Sequence, residues 1–210
     1  MIKRHKTSII IGCMIILLPV VIGLLLWNQL PNEIATHFDS NGQPNGWSSK
    51  AFTVLGIPAI LLLIHLACVF FTAADPKKQN IHDKLFTLIL WIVPVISLLV
   101  CPASYAIALG MELNIESLTS VLVGIIFILS GNYMHKVKQN YTIGIKIPWT
   151  LDSEENWNRT HRLSSWLWIL CGILFLANSF LRIGVILLPC ILVIAFVPMV
   201  YSFILYKKGI

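Results

Sequence analysis

TSIIIGCMIILLPVVIGLLLWNQL, Thr7–Leu30, decides the class of fold. It carries no charged side chain, and about 20 apolar residues in a helix suffice to cross the hydrocarbon of a bilayer. The basic MIKRHK ahead of it imitates a secretory signal. The apolar run nevertheless outlasts a signal h-region and reaches Trp27 without a small-residue cleavage site. The stretch reads as a first transmembrane helix.

Working outward, five further segments have the same character: Ala51–Ala74, Leu85–Leu109, Leu118–Met134, Leu163–Leu181 and Gly184–Tyr206. Only Arg182 and Ile183 separate the last two. One helix of their combined length would far exceed the bilayer, so they are expected to form a tight hairpin of two spans. Composition agrees, with 57% hydrophobic and 11% charged residues and a mean hydropathy of +0.83. Soluble domains hold about 25% charged residues. An ordinary water-solvated domain is excluded, and the expected fold is an all-α, six-helix transmembrane bundle using residues 1–210 as one membrane domain.

The formal charge of +6 is clustered beside apolar runs, at Lys3–Arg4, Lys77–Lys78 and Lys207–Lys208. That is how topology signals are distributed, and it argues against direct nucleic-acid binding. With the N-terminus cytoplasmic, thirteen of the 15 Lys and Arg residues fall inside, leaving Lys50 and Arg182 outside. Both termini are therefore expected in the cytoplasm, with residues 31–50 as an outer loop and 135–162 as an inner loop. Trp27, Trp47, Trp166, Trp168 and Tyr206 lie near span ends, as interfacial anchors do. The five cysteines all fall in apolar runs without paired spacing and read as small core residues.

Within the spans, Pro19, Pro58, Pro94, Pro102, Pro189 and Pro198 are sites of helix kinking, either to shape packing or to act as hinges. Ala106 with Gly110, and Ser120 with Gly124, are small-residue pairs expected to let the third and fourth spans pack closely. His65 in the second span and Asn178 in the fifth are polar groups at bilayer depth. Each is either a hydrogen-bonded packing residue or, for His65, part of a proton relay. No Asp or Glu accompanies them inside a span.

The outer loop contains two Asn–Gly pairs, Asn41–Gly42 and Asn45–Gly46, both of which favour tight turns. Ile34, Thr36 and Phe38 alternate as in a short strand. A small folded cap follows, in which His37, Phe38 and Trp47 either face an outside ligand or form a connector resting on the bilayer. In the inner loop, Gly144 marks a tight backbone position and Pro148 holds Ile147 extended. Asp152 and Glu155 form a capping pair for a helix that runs unbroken into the fifth span. Trp157, Thr160 and His161 fall on one face of it. Trp149 and Trp157 point to a segment folded back on the helices. That segment is either an interfacial elbow or a docking platform for a cytoplasmic protein.

No HExxH, GxSxG, P-loop or metal-spaced Cys/His cluster occurs, so neither an enzyme nor a metal or cofactor site is expected. His82, His135 and His161 come from separate loops and lack a cysteine or carboxylate partner.

At its two polar loops the chain resembles the SdpI family of bacterial integral membrane proteins. The outer pattern is Leu-Pro at Leu30–Pro31, His37, the Gly42 turn and Ser49–Lys50. The inner one is Asn140, Gly144, Pro148-Trp149-Thr150-Leu151, Trp157 and Thr160-His161-Arg162. Lys146 and Ile147 depart from the Arg and Thr expected there. The resemblance implies a multi-pass protein of the bacterial cell membrane that gives immunity to a secreted, membrane-active peptide toxin. It also implies relay of the toxin's presence to a small winged-helix repressor inside. The outer loop would then meet the peptide and the inner loop the repressor. From the residues alone, a small transporter or channel is the alternative, motivated by the proline-bearing spans and His65.

Overall fold

The computed structural model describes residues 1–39, 42–181, 183 and 186–210. Asn41 of the first Asn–Gly pair, Arg182 between the last two spans and Gly184 at the expected start of the sixth lie outside the described residues.

Among the described residues, six helices are long and apolar enough to cross a membrane: Ile2–Leu25, Phe52–Ala74, Asp83–Ala108, Ile115–Met134, Glu154–Leu181 and Leu187–Lys207. The regular elements in chain order are α1 (Lys6–Leu25), β1 (Glu33–Phe38), β2 (Pro44–Ser49), α2 (Ile57–Ala74) and α3 (Asp83–Ala108). They continue with α4 (Ile115–Met134), α5 (Pro148–Asp152), α6 (Glu154–Leu181) and α7 (Leu187–Lys207). Met14, Leu63, Phe70 and Leu188 are among many large apolar side chains exposed along these helices. Water would penalise such a surface, whereas lipid solvates it. The chain is a multi-pass membrane protein.

Residues 1–70 and 87–116 form one compact unit. Its core gathers Leu30, Ile34, Val54, Cys101 and Tyr105, with Ile22, Trp27 and Leu61 packed around them. Gly23 makes the close approach possible, since a Cβ there would lie 2.7 Å from a Val54 methyl. The first span is helical only to Leu25. The next residues turn, Leu30 bonding back to the Leu26 carbonyl, and lead into an antiparallel hairpin. A π-helical turn, Phe52–Gly56, precedes α2. The wider turn lies directly ahead of Pro58, whose ring has no N–H to donate, inside the continuous helical span Phe52–Ala74. Gly110 is not a packing residue as the small-residue pattern suggests. It has φ +87 and open space around it, and it terminates α3 while Met111 N–H donates to the Ala106 carbonyl.

Residues 71–86 and 117–210 form the second unit. Here the stripe Ser117, Ser120, Gly124 and Gly131 on α4 packs against α6. A Cβ on Gly124 would sit 2.9 Å from the Gly172 carbonyl oxygen, and one on Gly172 would sit 2.8 Å from that of Gly124. Ser165 Oγ donates to Gly131 O at 2.7 Å, and Ser117 Oγ to Ser179 O at 2.7 Å. Small residues let the backbones meet, and hydroxyls without water donate to the carbonyls the neighbour offers. The close partner of Ser120 and Gly124 is thus α6, four to five dozen residues away in sequence, instead of the expected third span. Phe175, Cys171 and Cys190 form an apolar cluster joining α6 to α7.

Candidate functional site

The first candidate region is the hairpin. β1 and β2 pair with Ala35 opposite Trp47, His37 opposite Gly46 and Phe38 opposite Pro44, with irregular register on either side of His37. Asn45–Gly46 therefore lies within a strand, not in a turn. Gly46 is needed there because a Cβ would stand 2.9 Å from that of His37. The reversal is made at Asp39–Gln43. Gly42 adopts φ +75 and its N–H donates to Asp39 O, while Gln43 N–H donates to the Asp39 carboxylate at 2.9 Å.

His37 and Trp47 are exposed, and His37 Nδ1 is hydrogen-bonded to Asn45 Oδ1. Phe38 instead lines a groove of about 420 Å³ with Pro44, Ile107, Met111 and Leu113, and with Glu112 at its rim. Lys50 explains how the hairpin is anchored. Its Nζ donates to the carbonyls of Trp27 and Leu30, both at 3.0 Å, and lies 5.1 Å from the Trp27 ring centroid. These are the carbonyls left free where the first helix unwinds.

The second region, residues 135–162, brings its expected residues together tightly. Gly144 has φ +111, and a Cβ there would meet His161 Nε2 at 2.4 Å. That space is taken by a hydrogen bond, Ile145 N–H donating to His161 Nε2 at 3.0 Å. Nε2 is therefore an acceptor, so the ring proton sits on Nδ1 and is donated to Trp157 O at 2.8 Å. The imidazole stacks on the Trp157 indole with centroids 4.0 Å apart. Trp157 Nε1 in turn donates to Val137 O at 2.6 Å. An (i, i+4) pair on one helix face thus locks two parts of the preceding loop.

Asn140 and Thr150 are both fully buried. Asn140 Oδ1 accepts from Thr142 N–H and Ile143 N–H, and its amide donates to Lys138 O and Ile143 O. Thr150 Oγ1 accepts from Ile147 N–H at 3.1 Å and lies 2.7 Å from Ile145 O, an acceptor for its proton. Pro148 opens α5, where its missing N–H costs nothing. Trp149 packs on Phe203 and Tyr206 of α7, with centroids 5.0 and 6.2 Å away. Arg162 is exposed. The cap of α6 is Ser153, whose Oγ accepts from Asn156 N–H at 3.2 Å. Asp152 instead closes α5, because a residue in extended conformation separates the two helices.

Three anchors of this region were missed in the sequence. Asp75 is buried and holds the segment through Lys77 N–H at 2.7 Å, Tyr141 N–H at 2.9 Å and the Thr142 hydroxyl. Burial pushes its carboxyl upward, but the Thr142 hydroxyl and the backbone N–H groups of Lys77, Tyr141 and Thr142 outweigh that and hold it below 3.8. Gln139 spans from Lys77 Nζ to the carbonyls of Thr150 and Leu151. Asn156 ties α6 to α7 and to the C-terminus, its amide reaching Ser202 O and Ile210 O and its carbonyl accepting from Ser202 Oγ at 2.6 Å. A lone acid before a proline at a span end was the available signal for Asp75. The other two gave none.

His65 stands apart in the first unit. It is buried, a Gly12 Cβ would lie 3.1 Å from its Nε2, and neither ring nitrogen has a hydrogen-bond partner among the described residues. Asn178, by contrast, is satisfied, accepting from Ile183 N–H and lying 3.3 Å from Ser120 Oγ.

Comparison with known proteins divides the chain along the same lines. The model of the SdpI/YfhL protein family matches residues 136–202, and that of a domain of unknown function, DUF1648, matches residues 14–62. Immunity protein SdpI of Bacillus subtilis (strain 168) is 30% identical over 213 residues, covering 98% of this chain and 97% of that protein. No solved structure matches.

Proposed function

The chain belongs to the SdpI/YfhL protein family, and on that premise we propose that it gives immunity to a membrane-active secreted peptide toxin. It is also proposed to relay the toxin's presence to a cytoplasmic repressor. The observation that carries the reading is similarity to an immunity protein, 30% identical over 98% of this chain, a span that takes in both polar regions. The positive-inside rule supports a bacterial cell-membrane protein with both termini and residues 135–162 in the cytoplasm and the hairpin outside.

In that orientation the groove beside Phe38 offers an apolar floor and a carboxylate rim to an amphipathic peptide. Exposed Trp47 and His37 extend the contact surface. Inside, the buried Asn140, Thr150, Trp157, Thr160 and His161 act as scaffold, not as contact residues. The surface they support presents Tyr141, Lys146 and Arg162 to a partner. The protein works by binding, without catalysis.

The test is survival. Toxin-sensitive bacteria lacking their own immunity gene are given this chain or an empty vector and challenged with the peptide. Protection is expected, and equal killing of both strains would refute the reading. A repressor-controlled reporter in the same strain separates relay from protection.

A further inference from the structure

Where α4 ends, the chain turns, Lys136 N–H donating to Tyr133 O and Val137 N–H to Met134 O, and is then pinned. Trp157 Nε1 holds Val137 O, and Gln139 is fixed by α5. Residues then alternate. Val137 and Gln139 turn inward, at 4% and 6% exposure, while Lys136 and Lys138 turn outward. Together with His135, and with Glu154 and Asn158 on the first turns of α6, they line a recess of about 430 Å³.

The charged residues of the lining are two lysines and one glutamate, so, leaving the imidazole aside, the recess carries a single excess positive charge. That is the complement of one phosphodiester. Lys136 Nζ lies 5.7 Å from the centroid of the Tyr133 ring. Below Tyr133 on the same face of α4, Leu129 and Ile125 are 42% and 45% exposed. Charge, aromatic ring and apolar track thus follow one another in the order in which headgroup, interface and acyl chain occur in a lipid leaflet.

We propose that this recess binds the phosphate of an anionic phospholipid, whose acyl chains lie along Tyr133, Leu129 and Ile125. Basic recesses between membrane helices recognise lipid headgroups by this combination of charge and placement. Glu154 and Asn158 accept hydrogen bonds from headgroup hydroxyls beyond the phosphate. The site is independent of toxin immunity, and no residue of the hairpin takes part.

The experiment is equilibrium binding of fluorescent phosphatidylglycerol to the full-length protein in neutral detergent. Unlabelled phosphatidylglycerol, phosphatidylcholine and inorganic phosphate serve as competitors. Phosphatidylglycerol is expected to compete and the other two are not. Lys136→Gln with Lys138→Gln should weaken binding by about 25-fold, from about 1 kcal/mol per lysine. Asn158→Asp, which adds a second carboxylate to the lining, should weaken it as well. Lys207→Gln with Lys208→Gln, at the end of α7, should leave binding unchanged. Undiminished binding by the first pair, or equal weakening by the second, would overturn the proposal. Competition by inorganic phosphate at the lipid's own concentration would also overturn it, assigning the recess to a soluble anion.

Discussion

Gly144 leaves the space that the His161 ring fills, the imidazole nitrogen standing 2.4 Å from where a side chain at position 144 would begin. The backbone there is left-handed, so two independent requirements select glycine. Gly144→Ala should therefore lower stability by about 2 kcal/mol or more, combining backbone strain with a displaced ring. Thermal unfolding of the purified variant in detergent reads this directly. An unchanged midpoint would mean the loop can rearrange at no cost.

Asp75 makes the same segment sensitive to acid. Its carboxyl titrates lower in the folded protein than in the unfolded chain, so its contribution is present above the ordinary value of 3.8 and is lost as pH falls through the lower folded value. The wild type should lose stability in that acidic window. Asp75→Asn, which keeps the shape but not the charge, should show a flatter response there and lower stability at neutral pH. Parallel curves for the two proteins would remove Asp75 from the explanation.

Lys50 tests the hairpin anchor. Lys50→Met preserves the aliphatic stem but strips two carbonyls of their donor, and it should destabilise by about 1–3 kcal/mol. Protease cleavage within 31–50 should accelerate more than cleavage in 135–162. Equal acceleration in both segments would show a general loss of stability instead of a released hairpin.

Arg162 and Trp157 separate scaffold from surface. Trp157→Ala removes a fully buried indole and should cost about 3–5 kcal/mol, lowering protein level and every activity together. Arg162→Ala removes an exposed group and should leave unfolding unchanged while weakening the repressor-controlled reporter. If both variants unfold like wild type, the stacking described above contributes no stability.

Much of this architecture was legible because bilayer solvation acts on each residue locally. Hydropathy alone located the six helices, and the alternation of Ile34, Thr36 and Phe38 located β1. The 3.6-residue period placed Trp157 beside His161 before any partner was known. What failed was choice of partner. Asn45–Gly46 has turn chemistry, yet pairing with His37 draws it into β2. Ser120 and Gly124 announce close packing without saying against what, and α6 proves to be the neighbour. Asp75 accepts from Tyr141 and Thr142, residues more than sixty positions away, as well as from nearby Lys77. Local signals fix conformation, whereas such pairings depend on the whole chain.

The helix Glu154–Leu181 contains no proline, unlike α1, α3 and α7. At 1.5 Å per residue its 28 residues make a rod of about 42 Å. It is keyed to α4 at Ser165 toward its middle and at Asn178 and Ser179 near its far end. With no proline to kink it, such a helix resists bending, so its two halves are not displaced independently at low cost.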